Sequence, residues 1–274
     1  MLDFNSLLIL LVPISLSALT SGLIAGLFGV GGGIILVPAI VFTLEYLNFN
    51  PLITMHIGIA TSLMLIIPTS ISSIIGHHKM GVVDYSIIFH LAPYIVIGSI
   101  FGAKIAQQFS GESLKLLFGC MAIIASINMM REIQLVIGNK MPKTILFNSL
   151  SGFIIGSSSS MVGIGGGALS VPLMNFFSTP QHNATGTASA LGLLIAVPSA
   201  ITFSFADISF IDSPPWTLGM ISIPVFIVFS PLTIIGAQIG VKIAHNMNGL
   251  ILRKVFSVFL FLMALRMIFI ALTG

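Results

Sequence analysis

Charge is what this chain has least of. Of its 274 residues, 6% are Asp, Glu, Lys or Arg, while 56% are hydrophobic. A soluble domain carries about 25% charge, so this little cannot cover a water-facing surface. Lipid must be the solvent, and in lipid every backbone N–H and C=O has to be satisfied internally, which leaves helices or a closed barrel. The apolar runs are continuous rather than alternating, and that selects helices. A formal net charge of +3 is too small to imply nucleic acid as a partner. Cysteine is nearly absent: Cys120 alone excludes a disulfide within the chain and suggests no thiol metal site. Its position in an apolar run reads as core packing. Clustered catalytic groups are missing too. The histidines are scattered, no H-E-x-x-H occurs, and Glu45 and Asp84 fall at the ends of apolar runs rather than within them. This argues against a membrane-embedded enzyme, and neither metal nor cofactor is expected. The start, Met1-Leu2-Asp3-Phe4-Asn5, lacks a basic region, so the first apolar stretch reads as a retained helix and not a cleaved signal.

What is present is length. Apolar segments fall near 5–28, 34–47, 52–75, 84–106, 113–131, 144–162, 168–178, 183–206, 216–242 and 249–272. Most approach the roughly 20 residues a spanning helix needs. The exceptions, 34–47 and 168–178, each follow a Gly-rich break and read as short helices or as returning arms of re-entrant hairpins. The breaks resemble one another. Gly29-Val30-Gly31-Gly32-Gly33 runs into Ile-Ile-Leu-Val-Pro38, and Gly163-Ile164-Gly165-Gly166-Gly167 runs into Ala-Leu-Ser-Val-Pro172.

Two further islands recur in the same order. Ser21-Gly22-Leu-Ile-Ala-Gly26 resembles Ser151-Gly152-Phe-Ile-Ile-Gly156. Ile97, Gly98, Gly102, Lys104, Ile105 and Ala106 match Ile235, Gly236, Gly240, Lys242, Ile243 and Ala244. The second copy inserts Ser157 to Ser160 before its glycines. The chain is therefore expected to be an all-α polytopic membrane protein. It holds two membrane repeats, 1–143 and 144–274, of about five helical segments each, with a Gly-rich break after the first segment of each.

Loop charges bear on orientation. If each Gly-rich region lay inside one crossing helix, the cations would divide evenly between the faces. If the chain reverses at the glycines, Lys79, Arg131, Lys140, Lys143, Lys242, Arg253 and Lys254 share one face. Only Lys104, Lys115 and Arg266 then oppose them, together with Asp3, Glu45, Glu112, Asp207 and Asp212. The second arrangement satisfies the positive-inside rule. It predicts inverted repeats, both termini outside and the 131–143 linker in the cytoplasm.

The paired Gly-x-Gly-Gly-Gly-x-x-x-Val-Pro segments, the His77-His78-Lys79-Met80-Gly81-Val82-Val83-Asp84 stretch and the Gly98/Gly102/Lys104 helix end resemble the TauE/SafE family of sulfite and sulfonate exporters, also called the toluene sulfonate uptake permease family. The resemblance covers almost the whole chain. It implies a multi-pass carrier of the inner membrane, without a bound cofactor, for small sulfur-containing anions such as sulfite, thiosulfate or organosulfonates. Its partners would be that anion and the bilayer, with homo-oligomerisation left open.

The residues support such a carrier independently. Gly-interrupted segments in corresponding halves point to a transporter's binding site. Helix N-termini bare at the breaks offer N–H groups and about half a positive charge each to an oxyanion. The expected binding set is Gly31, Gly32 and Gly33 with Gly165, Gly166 and Gly167, joined by Thr61 and Ser62, by Thr187 and Ser189, and by Ser160. A packing role for the same glycines is the plainer alternative. A dinucleotide loop is a poor one, since no strand pattern or ribose-binding acid follows. His56 and His90 are candidates for proton coupling, whereas His77 and His78 read as loop residues. Lys104 and Lys242 read as snorkelling anchors, and Arg131 with Glu132 as an interfacial pair. An anion channel and a non-catalytic membrane subunit remain alternatives to a carrier.

Overall fold

The computed structural model describes residues 4–29, 31–130, 136–208, 214–246 and 249–273. In order, its helices are α1 (Phe4–Phe28), α2 (Gly33–Tyr46), α3 (Pro51–Lys79), α4 (Tyr85–Ala106), α5 (Gly111–Met130), α6 (Ile145–Val162), α7 (Gly167–Phe176), α8 (Gln181–Ser204), α9 (Ile223–Asn246) and α10 (Gly249–Thr273). A two-residue hairpin of β1 (Thr217–Leu218) and β2 (Ile221–Ser222) leads into α9. The apolar run beginning near 216 therefore starts as a hairpin, and its helix begins only at Ile223, with Pro224 in the first turn where its missing N–H is harmless.

Local chemistry sets the boundaries. Asn50 caps α3 by accepting from Leu52 N, with Pro51 at the first helical position. The Asp84 carboxylate accepts from Ser86 N and Ile87 N at the start of α4. Glycine ends α6, because Gly163 takes a left-handed conformation, φ 73°.

Six of the described helices are long and apolar enough to cross a bilayer. Their outer faces carry exposed Phe89, Ile97, Phe101, Ile154, Ile201 and Ile235, as a lipid-facing surface should. Cys120 also lies exposed on α5, so the expectation that it packs in the core is corrected. Of these six, the most enclosed are α3 and α8, which pack on one another.

The recurring small-residue islands turn out to be the seams between halves. Gly98 and Gly102 of α4 press on Phe153 and Ser157 of α6, while Gly152 and Gly156 press back on Leu91 and Ile95. Gly22 and Gly26 of α1 likewise press on Thr233 and Ala237 of α9, and Gly236 and Gly240 return the contact on Leu19 and Leu23. Each third island thus packs on the other half's first island. Absent Cβ atoms let the backbones approach, which is how helices associate in lipid, where apolar burial gives no drive.

These contacts fix directions. The α4–α6 and α1–α9 pairs each run parallel. Helices α5 and α10 run antiparallel, with Gly119 against Ile268 and Ser126 donating to Ser257 O at 2.7 Å. The bundle therefore has a linker end, where α3, α5 and α9 finish and α4, α6 and α10 start, and a terminal end, where α1 starts and α10 finishes. Glu45 and Lys115 pair at 2.6 Å near the terminal end, and the Arg266 guanidinium covers the Phe42 ring there at 3.8 Å. Lys79, Lys140, Lys143, Lys242 and Lys254 belong to the linker end. Arg131 and Glu132 lie outside the described residues.

Candidate functional site

Neither Gly-rich segment continues as a rod. In the first, Gly29, Gly31 and Gly32 all have φ between 65° and 76°, a region that favours glycine. The chain folds back there: the Ser21 hydroxyl, two turns before the end of α1, donates to Gly32 O at 2.8 Å. In the second, α7 returns toward the end from which α6 set out. Phe147, near the start of α6, meets Phe177, just past α7, with ring centroids 5.3 Å apart. Ile137 N in the linker donates to Phe176 O at 2.8 Å. The α1–α2 hairpin thus enters from the terminal end and the α6–α7 hairpin from the linker end.

The two turns meet inside the bundle. A methyl placed on Gly31 would lie 3.0 Å from Gly165 Cα, and one on Gly33 would run into Gly163 O. Residues 31–33 and 163–167 are all buried. Both short helices start here with glycine at the N-cap, Gly32 for α2 and Gly166 for α7, and neither has a side-chain cap. Two positive helix ends therefore face the same interior region from opposite directions. A carbonyl of each turn is held by a serine, from α1 of the same arm in the first and from α3 in the second. Ser62 donates to Gly163 O at 3.0 Å, matching the Ser21–Gly32 bond.

The expected polar set distributes as follows. Ser62 touches the second break directly. Ser189 Oγ shares a hydrogen bond with Ser73 Oγ at 2.9 Å and lies beside Gly29. Thr61 and Thr187 play matched parts: Thr61 Oγ1 accepts from Ser222 N, ahead of α9, and Thr187 Oγ1 accepts from Asp84 N, ahead of α4, both at 2.9 Å. Each central helix so anchors the start of the other half's fourth helix. Ser160 donates to Ser157 O at 3.0 Å and packs against Gly102, in the α4–α6 seam rather than at the meeting turns.

The histidines separate by environment. His56 is buried where α3 meets the α4–α5 turn, and its Nε2 donates to Phe109 O at 3.0 Å. His90 is exposed, with Nδ1 2.6 Å from Ser86 O. It lines a cleft of about 430 Å³ at the linker end, together with Lys140, Lys143, Asn148, Thr179 and Asn183. His77 departs from expectation. It is no loop residue but part of the last turn of α3, 2% exposed, with Nε2 3.1 Å from Gly26 O. A long apolar helix can carry a polar last turn into the protein when a broken helix beside it offers carbonyls.

Sequence reasoning passed over Ser70. It sits on α3 two residues after Pro68, is 1% exposed, and among the described residues its Oγ has no hydrogen-bond partner. The Pro68-Thr69-Ser70-Ile71-Ser72-Ser73 run was the available signal, a polar stretch late in an otherwise apolar helix.

Two interrupted arms meeting within a multi-pass helical bundle are a feature of membrane transporters. The family model for the sulfite exporter TauE/SafE matches residues 14–267, and the chain belongs to that family. A probable membrane transporter protein of Haemophilus influenzae is 26% identical over 247 residues, covering 90% of this chain and 94% of its own. One from Methanocaldococcus jannaschii is 26% identical over 269 residues, covering 97% and 98%. One from Bacillus subtilis is 29% identical over 205 residues, covering 67% and 74%. No solved structure matches.

Proposed function

We propose that this protein is a secondary transporter of a small sulfur-containing anion, sulfite, thiosulfate or an organosulfonate, working by alternating access. The observation that carries the reading is the meeting of the two N-termini at Gly31 and Gly165, with α2 and α7 departing toward opposite ends. Amides of Gly31 to Gly33 and Gly165 to Gly167 hold the anion, and no buried cation is needed. That matters because a full charge at mid-membrane is costly. Ser62 and Ser189 set the two breaks around it, Thr61 and Thr187 fix the starts of α9 and α4 beside them, and Ser160 belongs to the α4–α6 seam. Because the turns are buried, the arrangement described is an occluded one, and rocking of one hairpin against the other opens either end.

The repeats are inverted across the inner membrane. Parallel α4–α6 and α1–α9 pairs support this, since they start the two halves at opposite ends of the bundle. The linker end, rich in lysine, faces the cytoplasm, and both termini lie outside. The lysine-lined cleft at that end serves as the cytoplasmic mouth. The name of the matched family supports the substrate class.

Counterflow tests the proposal. Proteoliposomes loaded with unlabelled sulfite or thiosulfate should accumulate the labelled anion transiently and saturably. A channel would give flux without overshoot and without saturation.

A further inference from the structure

The connection from α8 to α9 exposes large apolar side chains on a firmly held backbone. Phe205 is 84% exposed and Trp216 is 82% exposed, and Leu218 of β1 is exposed as well. The hairpin sits on the last turn of α8: Met220 N donates to Phe203 O at 3.1 Å, and a methyl on Gly219 would run into Phe203 O and Ser204 O. Trp216 holds φ 62°, which a bulky residue rarely takes, while its carbonyl accepts from Ile223 N at 3.1 Å. The matched turn at the linker end shows that this geometry does not itself ask for an aromatic residue. Asp84 and Ser222 each donate their N–H to a threonine of a central helix, and three residues before each stands a glycine with positive φ, Gly81 and Gly219. By that alignment His78 takes the place of Trp216, and Lys79 that of Thr217. One turn presents basic side chains, the other an indole. Level matters too. Helix α4 has 22 residues and is about 33 Å long, close to the roughly 30 Å of a bilayer's hydrocarbon. Its ends therefore mark the two boundaries, and Lys104 in its last turn is exposed, as a cation reaching for headgroups should be. Gln107, the C-cap of α4, donates from Nε2 to Thr202 O at 3.2 Å, so α8 ends at the same level. Val197, Ile201 and Phe205, four residues apart, make one exposed stripe that carries the lipid-facing side of α8 to that boundary.

We propose that the α8–α9 turn is an interfacial anchor, with Phe205, Trp216 and Leu218 set in the headgroup–acyl boundary of the leaflet at the terminal end. Tryptophan suits that place, because its ring prefers the acyl side while its indole N–H needs a wet one. The anchor also sets the height of the central helices. The hairpin is bonded to α8 through Phe203 O and to α3 through Ser222 N and Thr61 Oγ1, so a fixed hairpin fixes both. The frame in which the two arms meet is thus held level with the membrane, whatever solute the protein carries.

Trp216 is the only tryptophan in the chain, so the unaltered full-length protein reports on itself. Its emission is read in phosphatidylcholine vesicles whose acyl chains carry bromine either near the headgroup end or near the chain terminus, and in unbrominated vesicles with iodide on both faces. The anchor predicts an emission maximum shifted to the blue of free tryptophan, a larger loss of intensity with bromine near the headgroup than with bromine near the terminus, and weaker quenching by iodide than free tryptophan shows. Moving the probe, with Trp216→Phe and Phe205→Trp together, should keep the same order. Iodide quenching as strong as that of free tryptophan, with no loss to either lipid, would put the turn in water and overturn the anchor. So would no loss to any quencher, as when a second copy of the chain covers the turn, or a loss at least as large with bromine near the chain terminus. None of these results bears on the transport reading, which stands or falls by counterflow.

Discussion

Gly33→Ala is the most informative steric probe of the meeting arms. Gly33 is the first helical residue of α2 and does not have positive φ, so alanine brings no backbone strain. Its Cβ would run into Gly163 O and lie 3.0 Å from Ile164 Cα and 3.1 Å from Gly163 C. All three obstacles are backbone of the opposing arm, and no side chain can rotate away. Overpacking costs about 1–3 kcal/mol, and rigid neighbours put this site at the upper end. Alanine's better helix propensity returns about 0.5–1 kcal/mol. The net expectation is a loss of about 2 kcal/mol, roughly 30-fold in the folded-to-unfolded ratio. Gly166→Ala is the matched comparison. Its nearest obstacle is the flexible tip of Ile195, Cδ1 at 2.8 Å, so about 1 kcal/mol or less is expected. Reversible unfolding in mixed detergent micelles reads both. A Gly33→Ala protein within 0.5 kcal/mol of wild type would refute the packing of one arm on the other.

Three further outcomes follow from named contacts. Thr61→Val and Thr187→Val each strand a backbone N–H, that of Ser222 or Asp84, and should each cost about 1–3 kcal/mol in the same unfolding assay. Lys140→Gln with Lys143→Gln should slow sulfite uptake from the linker side of proteoliposomes and flatten its dependence on ionic strength, because cations at a mouth steer anions. In a chain with Cys120 replaced by serine, a cysteine at position 140 should react with an impermeant thiol reagent only from the cytoplasmic face of vesicles. Labelling from outside would reverse the proposed orientation.

Much of the architecture was legible because membrane helices must be long and apolar and cannot hide a break. The glycines at 31–33 and 165–167 announced interruptions, and the recurring islands marked stretches of small residues. What the islands do was less visible. A small-residue pattern says that a backbone comes close, not which one, so the exchange by which Gly98 and Gly102 pack on α6 and Gly22 and Gly26 on α9 emerges only in three dimensions. His77 and Ser70 escaped for a related reason. Each lies in a polar stretch late in α3, and such a stretch does not say which element stands opposite it. The Glu45–Lys115 pair joins residues on different helices, and nothing local in the chain marks such a partnership. Thr61 and Thr187 were singled out as polar positions in matching helices, and that symmetry holds in their bonds to matching backbone amides.

The most direct test is to locate the anion. Selenite is a close chemical counterpart of sulfite, and its selenium scatters anomalously. In crystals of the protein grown with selenite, the account predicts an anomalous peak among the amides of Gly31 to Gly33 and Gly165 to Gly167, displaced by competing sulfite. A peak confined to the cleft of Lys140 and Lys143, with the meeting point of the two turns empty, would contradict it.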